Sequence, residues 1–181
     1  MNQFRDNFRP NILDLLNTYY YKLRGVKIGK GSIIMFGAKI ERNFICVEIA
    51  ENVVIKSHAR ICACNDESSI SIGGDTTIGF NTFIFASNKV SIGQNCLIAP
   101  FVYIVDSNHG IKKGHLINSQ RNETAPIIIE DDVWLGQNVT ILGGVTVATG
   151  TVVAAKALLN VSTNAYSIFG GIPAKLIGTR E

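Results

Sequence analysis

The sequence lacks a long run of like charge, and its net charge of +3 over 181 residues is too slight to argue for a nucleic-acid partner. A weak basic bias suits a phosphorylated or anionic small molecule instead. No uninterrupted apolar stretch approaches the roughly 20 residues that span a bilayer, so no transmembrane segment is expected. The opening Met1-Asn2-Gln3-Phe4-Arg5-Asp6 has no apolar core of the signal-peptide kind, which places the protein in the cytoplasm. Cysteine is scarce: Cys46, Cys62, Cys64 and Cys96 form neither a disulfide framework nor a paired zinc-knuckle pattern. They are read as reduced thiols, with Cys62 and Cys64 packing together and Cys96 inert in a small-residue slot.

What the sequence has is one sustained pattern. Aliphatic residues recur every six positions at Ile72, Ile78, Ile84, then Ile92, Ile98, Ile104, and again at Ile129, Leu135, Ile141, Val147, Val153 and Leu159. The period starts at Ile28-Gly29-Lys30-Gly31-Ser32-Ile33, with an aliphatic first residue and a small or aliphatic fifth. Helical spacing does not give this, and neither does strand alternation. A triangular coil does: the first residue of each hexad points inward, the fifth fills a corner, and three hexads make a turn. Residues 28–45, 49–66, 72–89, 92–109, 129–146 and 147–164 then read as six stacked turns, with bulges at 46–48, 67–71 and 90–91. Stacked coils pair their backbones with the coil above and below. The expected architecture is all-β, one domain spanning 28–164, with an N-terminal cap over 1–27 and a closing segment over 165–181.

Two segments break the period. Between Pro10 and Arg24, the residues Ile12, Leu16, Tyr19 and Leu23, widened by Leu13 and Tyr20, recur at three or four and predict an amphipathic helix. Its expected task is to close the first coil, leaving one tyrosine of Tyr19-Tyr20-Tyr21 exposed; contact with a neighbouring subunit, an acceptor or a membrane surface is the other reading. The second break is the polar loop over about 105–126, which opens on Asp106-Ser107-Asn108-His109-Gly110. An excursion of this length adds nothing to a stacked core, so binding or catalysis is the expected reason for it.

These hexads resemble the hexapeptide-repeat transferases, which implies a left-handed parallel β-helix. The block Ile92-Gly93-Gln94-Asn95-Cys96-Leu97-Ile98-Ala99-Pro100, followed by His109-Gly110, is similar to the segment before the catalytic histidine of sugar O-acetyltransferases. Asp106-Ser107-Asn108-His109-Gly110-Ile111 with Glu123-Thr124-Ala125-Pro126 is most similar to the lipopolysaccharide branch. The run from Asp132 to Val145, with Trp134, Gly136 and Gln137, resembles the coil that lines the acetyl-CoA arm in that family. Gly170-Gly171-Ile172-Pro173-Ala174-Lys175 resembles the turn where the coenzyme's nucleotide end rests.

The resemblance implies transfer of an acetyl group from acetyl-CoA to a saccharide hydroxyl in surface polysaccharide or lipopolysaccharide synthesis, by a homotrimer and without a metal. A sugar hydroxyl needs its proton removed as it attacks a thioester, and an imidazole titrates near neutrality. His109 is therefore the expected base. Asp106 or a backbone carbonyl could hold its other ring nitrogen; Asn81, Asp106 and Asn108 are the candidates for the acceptor. Trp134, Gly136, Gln137, Ala155, Gly170, Gly171, Pro173 and Lys175 are the candidates for the coenzyme. His58 reads as a surface or subunit-contact residue, and His115 lies in the loop. Three histidines also allow a zinc hydratase of the γ-carbonic-anhydrase kind, which uses the same coil, although His109 and His115 do not keep that family's spacing on rigid faces. A non-catalytic assembly subunit is the third reading.

Two departures from the family qualify the site. Its Thr-Lys pair after the last coil is replaced by Leu159-Asn160-Val161-Ser162, which passes phosphate binding to Lys175 or Arg180. Gly79 and Ser87 stand where the galactoside branch has an asparagine and an aspartate, which argues against a simple galactoside acceptor.

Overall fold

A computed structural model describes residues 9–181; the opening stretch Met1–Asp6 lies outside them. From Lys27 onward the chain winds as a three-sided parallel β-solenoid, the architecture of a left-handed β-helix. The first face stacks six strands, from Lys27–Ile28 through Lys89–Ile92 to Thr146–Val147. The second runs from Ile33–Ile34 through Leu97–Ile98 and Trp134–Leu135 to Ser167–Gly171, where an antiparallel strand, Ala174–Thr179, ends it. The third face again holds six strands, from Lys39–Arg42 through Phe83–Ala86 and Tyr103–Val105 to Leu158–Leu159. The register keeps equivalent hexad positions in line: Ile78, Ile98 and Leu135 pair in sequence, as do Ile84, Ile104 and Ile141.

This alignment builds the core. Ile78, Ile84, Ile104, Leu135 and Ile141 are fully buried, each contributing roughly 1.5–3 kcal/mol of apolar burial. Fifth-position residues such as Val53, Thr76, Cys96, Val133 and Thr151 are buried in the corners. The polar ones bind the backbone of the next coil, Thr76 through its hydroxyl to the Gly93 carbonyl at 2.8 Å. The fourth position turns the corner in the left-handed region, where Gly, Asn and Asp pay least. Between the first and second faces it is Gly31, Asn52, Asp75, Asn95, Asp132 and Gly150 in successive coils. Between the second and third faces the column is Gly37, His58, Asn81, Phe101, Asn138 and Lys156. A substitute Cβ on Gly79 would lie 2.5 Å from the Ala99 carbonyl carbon, so in this coil the residue after the strand must be glycine for the next coil to stack as it does.

On the third face, Arg60, Phe83 and Tyr103 form a cross-strand ladder. The Arg60 guanidinium lies 5.3 Å from the Phe83 ring centre, Phe83 stacks on Tyr103 at 5.8 Å, and Arg60 also grips Glu41 with two nitrogens. Such pairs contribute up to about 1 kcal/mol each.

The N-terminal helix, Ile12–Leu23, starts on a capping box in which Asn11 and Asp14 exchange side-chain-to-backbone hydrogen bonds. It lies on the edge of the first coil with the face opposite to the one expected. Strand Ile33–Ile34 donates upward to the second coil from the Ile33 and Met35 amides. Its downward groups meet the helix's polar side: the Thr18 hydroxyl accepts from the Ile34 amide, Asn17 donates to the Ile34 and Met35 carbonyls, and Asp14 accepts from the Phe36 amide. An unpaired strand edge needs donors and acceptors more than apolar cover. The predicted stripe is accordingly outside, with Leu16 57%, Tyr19 60%, Tyr20 48% and Leu23 69% exposed, while Asp14 and Tyr21 are buried. Two tyrosines are exposed where one was expected. Among the described residues no helix is long and apolar enough to cross a membrane.

Candidate functional site

The corner between the second and third faces carries most of the residues assigned to the coenzyme. Gly136 lies in the fifth coil, and its amide donates to the Val153 carbonyl of the sixth. A Cβ on Gly136 would stand 2.6 Å from the Ala155 amide nitrogen, so this glycine is a stacking requirement. Gln137 and Ala155 face outward from the same corner. The Ala154 amide bonds the Phe169 carbonyl, which places Gly170 one layer further along. Gly171 and Ala174 then close the final hairpin around a cis Ile172–Pro173 bond, and Lys175 pairs with Gly170. Asn81, in the third coil, belongs to this same column. Trp134 stands on the second face beside it, 53% exposed.

Next to this corner the second face holds an apolar cleft of about 320 Å³ lined by Lys56, Thr77, Phe80, Leu97, Pro100 and Trp134. Phe80, Leu97 and Pro100 were not singled out from sequence. Phe80 is an outward hexad residue, and nothing in a six-residue period separates an outward residue over a cleft from one facing solvent.

His109 leaves the solenoid from a different corner, between the third and first faces. Strand Ser107–His109 pairs antiparallel with Asn122–Thr124, opposing His109 to Asn122 and Asn108 to Glu123; His109 and Asn108 are exposed. The loop beyond is tied together by Gln120, whose side-chain oxygen accepts from the Lys112 amide and whose nitrogen donates to the carbonyls of Lys112, His115 and Leu116. Gly110 is buried against it, with a would-be Cβ 2.8 Å from the Gln120 Cβ. Gly110, Lys112, His115, Gln120, Arg121 and Glu123 border a cleft of about 340 Å³. Sequence reading missed Gln120; nothing in the sequence separates it from Asn118, Arg121 and Asn122, which also carry several donors in the same loop.

Asp106 departs from expectation. It is fully buried, and its two carboxylate oxygens accept from the backbone amides of Ser87, Asn88 and Lys89 at 2.7–2.8 Å. Its own carbonyl accepts from the Ala125 amide at the loop's exit. A carboxylate so engaged is the anchor of the corner from which the loop springs, and it is neither an acceptor contact nor the partner of the His109 ring. We expect Asp106→Asn to lower stability by about 1–2 kcal/mol, because an amide presents hydrogens to some of these amides. Urea unfolding of the two proteins checks this.

Arg180, the other candidate for phosphate, is engaged within the chain. Its guanidinium binds the Asp132 carboxylate at 2.9 Å and the Gly150 carbonyl at 3.0 Å, which fixes the chain end to the corner between the first and second faces. Lys175 is exposed. Burial pushes the thiols of Cys62 and Cys96 up to about 11, with Cys64 beside Cys62 adding to its rise, so both are protonated at neutral pH and unsuited to act as nucleophiles. Among the described residues no three His, Cys, Asp or Glu side chains converge as a metal-ligand set. His58 turns a second-to-third-face corner, away from the loop that carries His109 and His115.

Residues 126–155 match the family described as the hexapeptide repeat of succinyl-transferase. The chain is 36% identical over 102 residues to WbbJ of Escherichia coli K12, a protein described as a lipopolysaccharide biosynthesis O-acetyl transferase, covering 52% of this chain and 52% of that one. It is 31% identical over 110 residues to the galactoside O-acetyltransferase of the same organism, covering 61% of this chain and 54% of the relative. A hexapeptide-repeat acetyltransferase of Vibrio cholerae, solved with acetyl-CoA, superposes with a TM-score of 0.70 at 25% identity over 93% of this chain and 79% of that one. The chain spans about half the length of the curated relatives it matches.

Proposed function

We propose that this member of the hexapeptide-repeat β-helix family is an acetyl-CoA-dependent O-acetyltransferase that acts on a saccharide hydroxyl in bacterial surface polysaccharide or lipopolysaccharide synthesis, in the cytoplasm. The observation that carries the reading is the division of the site. Outward residues stack along one corner, Gln137 followed by the small Ala155 and Gly171 that leave room for a coenzyme arm, and an exposed imidazole stands on a loop from another corner. The coenzyme-bound relative and the O-acetyltransferase relatives support the same chemistry.

The residues present fit coenzyme A. Ala155 and Gly171 leave the outside of the corner unobstructed, the backbone there offers amides and carbonyls, and the exposed Lys175 can meet a phosphate. In the reaction, the neutral His109 ring takes the proton of the sugar hydroxyl as its oxygen attacks the thioester carbonyl. Stabilising the resulting oxyanion requires an amide or side-chain donor. Collapse breaks the carbon–sulfur bond, leaves an acetyl ester on the sugar, and returns the proton from the imidazolium to the departing thiolate. Of the acceptor candidates, Asn108 is exposed beside His109 and is assigned to orient the sugar. Release of free thiol from acetyl-CoA in the presence of a panel of bacterial glycans tests the activity; no acceptor-dependent release would remove it.

Within a single chain His109 and the proposed coenzyme column stand on different corners, which sets base and thioester apart. A cyclic trimer resolves this, because each loop can reach the second-to-third-face corner of a neighbour. We expect sedimentation equilibrium at micromolar concentration to give a trimer mass, and a monomer would overturn the shared site.

A further inference from the structure

The N-terminal helix has its amphipathicity reversed relative to the body it covers, and we propose that its outward face docks on the surface of an anionic lipid bilayer. The polar side, Asp14, Asn17 and Thr18, is consumed by hydrogen bonds to the free edge of the first coil. With about 100° between successive residues, Ile12, Leu16, Tyr19, Tyr20 and Leu23 fall together on the opposite side, and all of them are exposed. This is a contiguous apolar stripe on a helix that already has its packing partner.

Its charged border selects the occupant. Arg9, Lys22 and Arg24 are exposed at the ends and flanks of the stripe, while the helix's only acid, Asp14, is 2% exposed and bound to backbone amides. Arg24 is held beside Tyr20, donating to its hydroxyl at 2.8 Å. Apolar and tyrosine side chains flanked by Lys and Arg are what an interfacial helix presents to headgroups. The same border disfavours a second copy of the chain, because a two-fold pairing of this face would set like charges against each other. A helix of this length does not span a bilayer, so it lies on the surface.

The position of the helix makes the docking geometrically workable. It occupies the place of a coil beneath the first turn, so its outer face looks along the solenoid axis, away from the coils that hold the coenzyme column. In the trimer proposed above, three such faces would share one end of the assembly. An enzyme held this way would keep its proposed site several coils away from the bilayer surface.

The test is flotation of the full chain with vesicles of equimolar phosphatidylglycerol and phosphatidylcholine, and with phosphatidylcholine alone. The parent should float with the anionic vesicles and weaken severalfold as salt rises from about 0.1 to about 0.5 M. Leu16→Glu/Leu23→Glu, which alters exposed positions only, should lose partitioning by about 10-fold or more with an unchanged melting temperature. Arg9→Gln/Lys22→Gln should lose a smaller factor and most of the salt dependence, and it serves if the first variant fails to fold. A parent that stays in the soluble fraction with both vesicle types overturns the proposal. So does a parent that sediments as a larger assembly than the Leu16→Glu/Leu23→Glu variant, since a protein then covers the face. Flotation reads binding without turnover, so its failure leaves the transferase reading as it stands.

Discussion

His109→Ala is expected to lower turnover by roughly 100-fold or more, the loss typical of a missing general base, while the solenoid keeps its melting temperature. The structural half of that expectation comes from where the residue sits. His109 is exposed on a two-stranded excursion whose anchor is Asp106, and the excursion's inner order comes from Gln120 and Gly110. Removing the imidazole takes nothing from the stacked isoleucines or from these contacts. The kinetic half rests on protonation: without a base, the hydroxyl must attack while still carrying its proton. Because His115 borders the cleft on the same loop, the comparison variant is His115→Ala. Initial rates of thiol release from acetyl-CoA decide the matter. Near-normal turnover in His109→Ala removes it from the mechanism, and an equal loss in His115→Ala means that both imidazoles, or the other one, carry the proton.

The coil was legible because it is written in repeats. Each of the six turns presents the same inward and corner positions, so Ile78, Ile98 and Leu135 identify one another even where a single hexad would be ambiguous. The helix was legible as an element but not in its orientation. Periodicity finds the stripe of Ile12, Leu16, Tyr19 and Leu23 and assumes that an apolar stripe faces the core. That assumption fails when the surface to be covered is a strand edge with unmet amides and carbonyls, for which Asn17 and Thr18 are the better cover. The final hairpin extends the second face by a further layer, although its sequence had left the hexad pattern; backbone pairing does not need the inward aliphatic rhythm once the core has ended.

The candidate site was legible where a motif carried it and opaque where only tertiary placement could. The loop and the Gly170–Lys175 turn were both visible as stretches, and the column through Gly136 and Ala155 follows from counting hexads. Asp106 was misread because an acid beside a histidine in sequence has two possible directions to point. Its backbone turns it inward, where three amides from the preceding coil meet it. The salt bridge of Arg180 to Asp132 was equally hidden, since it joins residues far apart in the chain. Counting hexads puts Asn81 at the end of a second face and His109 at the end of a third; what it leaves open is how the loop beyond His109 folds, which the contacts of Gln120 decide.

Ala155→Trp is expected to weaken coenzyme A binding roughly 10- to 100-fold, the range that about 1–3 kcal/mol of steric misfit produces. Ala155 faces outward on the sixth coil, one layer above Gly136 and one below Gly170. At about 4.8 Å per coil, these layers cover roughly 10 Å of axial rise, and the final hairpin extends the track towards Lys175. An extended pantetheine arm laid along this corner would have to pass directly over the Ala155 methyl group, close enough for the neighbouring backbone to meet its amides. An indole there occupies that path. It meets open surface, so the solenoid and its assembly should be unaffected, which sedimentation and thermal unfolding verify. Lys175→Ala, by contrast, removes a single exposed charge, and its effect should be modest and larger at low salt, where a phosphate contact is least screened. Calorimetric titration of coenzyme A into the three proteins separates a blocked track from a lost charge. Equal affinity in all three would mean that the coenzyme lies elsewhere, even for an enzyme that proved to be an acetyltransferase.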